Sequence, residues 1–326
     1  MKQRVLITGG AGFIGSVLTA YLIDNGCEVV VVDDLSTGHS DSIDARASFI
    51  QASIDDKSAI VEALNGVETV IHCAAKSLVE ESVANPELYD QVNTAGTSVL
   101  FEAMAEAKVF DIIFSSTAAV YGDSKIPPIA ESTVINPVNP YGQSKVKAEN
   151  LISNFCKEGF SAITFRYFNV AGSYQSKSGR RFVEDHKNET HLIPKIMKNY
   201  LKNPDQFKVE IYGDSWPTAD GSCVRDYLHV EDLAHAHLLA LTNLEKGANK
   251  VFNLGSGVGY SVLEVIAEIE KVIGGRLERI IANPRAGDPA VLLAAVDKAQ
   301  DELGWVPGAS LSQIVLDSWL GVKQLG

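Results

Sequence analysis

Thr8-Gly9-Gly10-Ala11-Gly12-Phe13-Ile14-Gly15-Ser16 lies between a short apolar run at 4–8 and a stretch, 12–25, whose apolar residues recur at helical spacing. Glycines at 9, 12 and 15 permit a tight turn and let backbone N–H groups approach a pyrophosphate, to which the first turn of the following helix adds partial positive charge. Next comes Glu28-Val29-Val30-Val31-Val32-Asp33, apolar on both faces as a buried parallel strand must be. Asp33 ends that strand roughly 20 residues beyond the glycines, where a carboxylate accepts hydrogen bonds from adenosine ribose hydroxyls and repels a 2′-phosphate. No Lys or Arg follows closely, because the chain continues Asp34-Leu35-Ser36-Thr37. Strand, glycine turn, helix, strand and acid together predict a dinucleotide site, with NAD rather than NADP as its occupant.

The alternation continues. Residues 67–73, 110–115 and 161–167 read as strands, with helices at 86–107 and 140–158. Such repeated units predict a parallel sheet covered by helices through right-handed crossovers. Residues 173–191 turn polar and mixed in charge, and read as a long loop or small excursion. Further on, the pattern predicts a helix at 192–201, a strand at 208–212, a helix at 230–244, a strand at 251–254 and helices at 262–273 and 311–320. With 326 residues, 46% of them hydrophobic, the chain exceeds the roughly 250–300 at which single cores stop growing. The expected architecture is α/β: a Rossmann-type doubly wound parallel sheet with a smaller mixed α/β substrate-binding domain. The cofactor-binding domain is expected over 1–172 with a returning segment at about 224–250. The remaining parts of 173–326 form the second domain.

Lys and Arg number 28 against 41 Asp and Glu, a net charge of −13. Such a surface repels a phosphate backbone, so no nucleic-acid partner and no anionic membrane is expected. An anionic ligand must instead be held by a few local cations. No run approaches the ~20 apolar residues of a membrane span. After Met1-Lys2-Gln3-Arg4, only Val5-Leu6-Ile7 precedes the glycines, too little for a secretory signal, so a cytoplasmic protein is expected. Cys27, Cys73, Cys156 and Cys223 are far apart and read as reduced structural thiols. Asn188-Glu189-Thr190 fits a glycosylation sequon, but without a secretory signal it reads as a chance match.

Tyr141-Gly142-Gln143-Ser144-Lys145 opens the helix at 140–158, and its spacing puts phenol and ammonium on one face, a turn apart. Alone, such a pair is commonly an exposed one. The strand before it, however, ends Phe114-Ser115-Ser116-Thr117, and parallel strands deliver their C-terminal ends to the cofactor crevice. Lowering a tyrosine from about 10 to near 7 requires roughly 4 kcal/mol. One cation at about 4 Å and an effective dielectric of about 20 is worth that much. Lys145, with the positive nicotinamide ring, is suited to supply it. Tyr141 is then expected to take a proton from a substrate hydroxyl held by Thr117, while hydride leaves the same carbon for the nicotinamide. No metal site is expected: His235 and His237 point to different sides of a helix, and His186 and His191 sit in or beside the polar loop.

With 8–16, 115–122 and 141–145 in this order, the chain resembles the extended short-chain dehydrogenase/reductase family, in which Gly-x-x-Gly-x-x-Gly is a familiar form of the glycine turn. Further blocks look like its UDP-glucose 4-epimerase branch. They are His72-Cys73-Ala74-Ala75, Glu81-Ser82-Val83, Asn93-Thr94-Ala95-Gly96-Thr97, Arg166-Tyr167-Phe168-Asn169-Val170-Ala171-Gly172 and Thr190-His191-Leu192-Ile193-Pro194. The most specific is Pro217-Thr218-Ala219-Asp220-Gly221 running on to Val224-Arg225-Asp226-Tyr227, and Asn253-Leu254-Gly255-Ser256-Gly257 and Arg285-Ala286-Gly287-Asp288-Pro289 complete the series. The likeness spans nearly the whole chain.

The resemblance implies a homodimer that keeps NAD bound and interconverts UDP-glucose and UDP-galactose. C4 of the sugar is oxidised, the 4-keto sugar turns about its link to the diphosphate, and hydride returns to the opposite face. By the same resemblance, Gly9, Gly12, Phe13, Ile14, Gly15, Asp33, Asp34, Ser36 and Thr37 hold the cofactor, together with Ser53, Ile54, Ala74, Ala75, Asn93, Ser115, Tyr141, Lys145 and Tyr167. Thr117, Tyr141, Asn169, His191, Leu192, Tyr227 and Asp288 contact the substrate, and Tyr212 packs on uracil. Arg225 and Arg285 clamp the diphosphate, a task that guanidinium forks suit.

Three positions depart from the family pattern. Ser53 stands where an Asp often meets the adenine amino group. Ser77 stands where some members carry a Lys on the nicotinamide ribose, beside Lys76. Leu292 falls, give or take one residue, where room for an N-acetyl group is set, so UDP-N-acetylhexosamines stay open as substrates. Nucleotide-sugar 4,6-dehydratases carry an acidic pair after the threonine, whereas this chain has Ala118-Ala119. An epimerase acting on UDP-glucuronate or a UDP-pentose remains the main enzymatic alternative. A non-catalytic NAD-binding sensor is the alternative from another class, and the presence of both Tyr141 and Lys145 argues against it.

Overall fold

The computed structural model describes residues 3–123, 127–204, 206–285 and 288–325, so Met1, Lys2, Ala286 and Gly287 of the segments quoted above lie outside the described residues. Val5, Leu6 and Ile7 are fully buried because their strand, β1 (Arg4–Thr8), lies inside a seven-stranded sheet. On one side lie β2 (Glu28–Asp33) and β3 (Ser48–Gln51). On the other lie β4 (Thr69–His72), β5 (Asp111–Thr117), β6 (Ser161–Tyr167) and the strand Asn249–Leu254. Every pairing is parallel. The strand order reverses between β1 and β4, and ligands of doubly wound sheets bind in the crevice at such a switch point. The all-apolar reading of β2 follows from this arrangement: Val29, Val30, Val31 and Val32 each meet a covered face.

Helices Phe13–Asp24 and Val230–Asn243 close one face over Val17, Leu18, Leu233 and Ala236. Lys57–Ala63, Gly96–Ala107 and Pro140–Lys157 close the other over Ile60, Leu100, Phe101 and Ala148. β3 and Lys57–Ala63 are absent from the sequence reading. β3 is a half-exposed edge strand with no continuous apolar run, and the short helix is announced mainly by its cap, the Asp56 carboxylate accepting from Ala59 N at 3.1 Å. The single helix expected at 86–107 is three pieces: Pro86–Tyr89, a π-helical stretch Asp90–Ala95, and Gly96–Ala107. The widened turn accompanies an inward Asn93, 2% exposed, whose amide donates to Ser144 Oγ at 2.9 Å.

The second lobe packs helices Leu192–Lys202, Val262–Ile273 and Leu311–Leu325 around Ile196, Met197, Ile266, Ile269, Ile314 and Val315. The polar stretch after 172 contains a small hairpin, Ser173–Gln175 with Arg181–Val183. Strand Val224–His229 joins three segments that are distant in sequence. It pairs with Asn169–Ala171 and Val291–Leu292 in parallel and with Gly259–Ser261 in antiparallel. Its register sets Tyr227 beside Asn169 and Arg225 beside Leu292. Among the described residues no helix is long and apolar enough to cross a membrane, and all four cysteines are unpaired.

Candidate active site

A cavity of about 1070 Å³ runs from the glycine turn to strand Val224–His229. At Gly9, φ is +73°, and a Cβ there would meet Ala74 N at 2.6 Å. A Cβ on Gly15 would meet Gly9 O at 2.1 Å, so this glycine lets the helix start against the turn. A Cβ on Gly12 would meet only Gly9 O, at 3.5 Å, and Gly12 lines the cavity. Turn and helix therefore form a cradle with backbone N–H groups at its rim. Asp33 is fixed at its edge, Oδ2 accepting from Ala11 N at 2.9 Å and Oδ1 from Leu35 N at 2.8 Å. Burial pushes its carboxyl up, and these two N–H donors oppose the shift. Phe13, Ile14, Asp34, Ser36, Thr37, Ser53, Ile54, Ala74 and Ala75 also line this end. Cradle, ribose-facing acid and apolar walls fit a dinucleotide.

At the C-terminal end of β5, Thr117, Tyr141 and Lys145 meet in the same cavity. Asn139 starts the helix that carries the last two, accepting from Gly142 N at 2.8 Å, and Pro140 occupies its first turn. Lys145 Nζ donates to Ser115 O at 2.8 Å and lies 4.8 Å from the centre of the Phe114 ring. Burial pushes its ammonium down to about 8. Burial also pushes the Tyr141 phenol up, while its hydrogen bond with Thr117 pulls the other way. Below them the Tyr167 hydroxyl donates to Ser115 Oγ at 2.9 Å and meets His237 Nε2 at 2.7 Å.

At the far end, Arg225 Nη1 donates to the carbonyls of Val224 (2.9 Å) and Pro289 (2.8 Å), and Nη2 lies 3.7 Å from Asp288 Oδ2. Its neighbour Asp226 points the other way, fully buried, accepting from Ser256 Oγ, Gly257 N and Ala294 N. Asn169, His191, Leu192, Tyr227, Arg285 and Asp288 line this end too, as does Leu292.

Two of the expected contacts do not line the cavity. Asn93 spends its amide on the Lys76 peptide, Oδ1 accepting from Lys76 N at 2.8 Å and Nδ2 donating to Lys76 O at 2.9 Å, besides Ser144. It braces the loop after β4 against the helix of Tyr141. The Tyr212 ring lies 4.0 Å from the Arg285 guanidinium carbon, and its hydroxyl donates to Glu210. Glu184, His186 and His191 bring ligand-type atoms within 4.8 Å of one another. Their closest contact, Glu184 Oε1 to His191 Nδ1 at 2.6 Å, is that of a charge-assisted hydrogen bond, tighter than the roughly 3 Å kept by two ligands of one ion.

The sequence model of the NAD dependent epimerase/dehydratase family matches residues 5–255. The chain belongs to that family. It is 42% identical to a UDP-glucose 4-epimerase of Corynebacterium glutamicum, the match covering 99% of this chain and 97% of the relative. It is 43% identical to one of Halalkalibacterium halodurans, over 97% and 95%. Its fold superposes with a TM-score of 0.92 on the UDP-glucose 4-epimerase from Bifidobacterium longum in complex with NAD+ and UDP, at 34% identity over 99% of this chain and 98% of that one. The glycine cradle is the part of the site built from residues close in sequence, between β1 and the helix Phe13–Asp24. Several cavity residues escaped the sequence reading, among them Phe168, Glu184 and Lys76 as a lining residue. Phe168 belongs to the quoted 166–172 block without a role assigned to it, whereas Glu184 falls in the polar stretch 173–191, which reads as a loop or small excursion.

Proposed function

We propose that this protein is an NAD-dependent 4-epimerase that interconverts UDP-glucose and UDP-galactose through a transient 4-keto sugar. The observation that carries the reading is the convergence of Thr117, Tyr141 and Lys145 in one cavity between a glycine cradle and a partly buried arginine, Arg225. Relatives named UDP-glucose 4-epimerase over nearly the full chain support the sugar pair.

Bound NAD supplies the hydride acceptor and, once reduced, the hydride donor for C4. Thr117 orients the C4 hydroxyl, and Tyr141 Oη takes its proton in one half-reaction and returns it in the other. Burial holds the Tyr141 phenol high against its hydrogen bond with Thr117, and bound NAD would add positive charge to that of Lys145 in favour of phenolate. Lys145, anchored on Ser115 O, is the cation one helical turn from Tyr141 that would favour phenolate in this scheme. Arg225, with Arg285, grips the diphosphate, and Asp288 and the carbonyls of Val224 and Pro289 aim Arg225. Asn169, His191, Leu192 and Tyr227 complete the substrate end, and Tyr212 supports Arg285 by stacking beneath it. Strong anchoring at the diphosphate leaves the sugar free to turn over. The cofactor is held by residues of 1–172 with the return at about 224–250, and the sugar nucleotide mainly by the rest of 173–326. We further propose a cytoplasmic homodimer, as the resemblance implies.

Purified protein given UDP-glucose without added NAD is expected to produce UDP-galactose, read by proton NMR. Conversion of UDP-glucuronate alone, from a panel of UDP-sugars, refutes the assignment of the sugar.

A further inference from the structure

One carboxylate in the cavity wall has no part in that scheme. Glu184 follows the hairpin strand Arg181–Val183, lines the cavity and is 6% exposed. A nearly buried carboxylate in a cavity that admits two anions opposes both unless it is compensated. Among the described residues no Lys or Arg pairs with it. Its Oε1 instead lies 2.6 Å from Nδ1 of His191 and 3.3 Å from Nε2 of His186. Glu189 approaches the same Nδ1 at 3.3 Å. The His191 ring is otherwise half exposed, and among the described residues no protein group bonds its Nε2. His191 also immediately precedes helix Leu192–Lys202, whose first turn lines the cavity through Leu192, Ile193 and Pro194. The helix's free N–H groups and an imidazole nitrogen thus stand side by side.

We propose that Glu184 is a positioning residue for substrate binding: with Glu189 it grips Nδ1 of His191, so that Nε2 donates to the diphosphate of the nucleotide sugar. This rests on the functional reading above and assigns to that site an ionised histidine and the carboxylate that holds it.

An imidazole that donates from both nitrogens is protonated. Burial opposes the charge on His191, but Glu184 and Glu189 outweigh it and push the ring up to about 10. Burial likewise opposes the charge on Glu184, yet the two histidines hold it at about 2. The other charges facing this group largely satisfy one another. Lys198, from helix Leu192–Lys202, lies 3.3 Å from Glu189 Oε2 and 3.1 Å from Asp185 Oδ1, and His39 approaches Asp185 at 3.8 Å. Glu184 makes the shorter contact and the larger contribution, so its removal is the change that lowers His191 furthest, with only Glu189 at 3.3 Å left against the ring.

The test is titration calorimetry of UDP-glucose into the purified holoprotein at pH 5.5 and pH 8.5. Both phosphates of UDP-glucose are esterified and do not titrate between these values, so a pH effect belongs to the protein. Lys145, pushed down to about 8, titrates between these values in wild type and variants alike, so each variant is read against wild type at the same pH, and wild type is expected to change by less than about threefold. Glu184→Gln is expected to bind within about threefold of wild type at pH 5.5 and about tenfold more weakly at pH 8.5, the loss of one charged hydrogen bond. His191→Ala is expected to bind weakly at both. A Glu184→Gln protein equally weakened at both pH values, or unchanged at both, overturns the proposal. Wild type that binds no UDP-glucose overturns the functional reading itself. If Glu184→Gln does not fold, the His191 ring signals in wild type decide by NMR: a ring still charged at pH 8.5 supports the proposal, and one that titrates near 6.5 overturns it.

Discussion

In the proposed function the two ends of the cavity meet their anions by different means. At the glycine turn, among the described residues, no cationic side chain is a nearest neighbour of Gly9, Gly12 or Gly15. The cradle's positive charge comes from backbone N–H groups and a helix terminus, made accessible by the missing side chains of Gly9, Gly12 and Gly15. At the far end the positive charge sits on side chains, Arg225 and Arg285, delivered by segments that the chain brings together only late. Between the ends lies a third arrangement, Thr117, Tyr141 and Lys145, which in the proposed function serves to move a proton through Tyr141 rather than to hold an anion. This division teaches where each substitution must act. A changed side chain damages the substrate end, a methyl group damages the cofactor end, and a lost hydroxyl damages the centre without loosening either.

The centre gives the largest expected effect. Tyr141→Phe removes the one group that takes the substrate proton, and kcat is expected to fall by at least about 100-fold. Cofactor content and UDP-glucose affinity are expected to stay within about threefold of wild type, since each end keeps its own anchor. Near-full turnover in this variant removes Tyr141 from its role and breaks the three-part division.

Arg225→Ala comes next. A charged hydrogen-bonding group at a buried phosphate contact is worth about 1.5–3 kcal/mol, so Kd for UDP-glucose is expected to rise by about 10- to 100-fold, while NAD content by absorbance is unchanged. Loss of NAD together with UDP-glucose would mean that the two ends are not independent. Gly15→Ala makes the opposite test. Its Cβ would lie 2.1 Å from Gly9 O, and forcing such overlap costs about 1–3 kcal/mol of stability. A lower melting temperature and protein purified largely without NAD are expected. Protein that keeps both NAD and its melting temperature would show that the turn has room to spare.

The same contrast explains what the sequence made legible. The cofactor end is built from neighbours: a strand, a turn, a helix and the next strand contribute Gly9 to Asp33, and the periodicity of each follows from burial on both faces of the sheet. β1, β2 and β6 accordingly keep the predicted bounds. The substrate end is tertiary. Val224-Arg225-Asp226-Tyr227-Leu228-His229 alternates neither like a half-buried strand nor like a buried one, because its neighbours on three sides come from 169–171, 259–261 and 291–292. The block was recognisable by resemblance, but no local period announces it as a strand. The break in 86–107 has a similar origin, since the demand for a π turn lies in Ser144 and the Lys76 peptide, which only the fold brings to Asn93. Glu184 is the plainest case. A single acid in a polar run carries no sign that two histidines will converge on it.

The smallest expected effect concerns the adenine end, where Ser53 departs from the pattern that the resemblance implies. Ser53 lines the cavity beside Ile54, and a serine hydroxyl offers an adenine amino group one neutral acceptor. Ser53→Asp supplies a charged acceptor at the same place. Such a bond exceeds a neutral one by about 1 kcal/mol, which corresponds to NAD leaving about fivefold more slowly, read by exchange against labelled NAD. Asp33 and Asp55 line the same end and will repel the added carboxylate, so the net gain is expected at the low end of that range. Faster release in Ser53→Asp would mean that like-charge repulsion outweighs the new bond. Acid at the adenine end would then be limited by its neighbours, and Ser53 would be the better residue beside this Asp33 and Asp55.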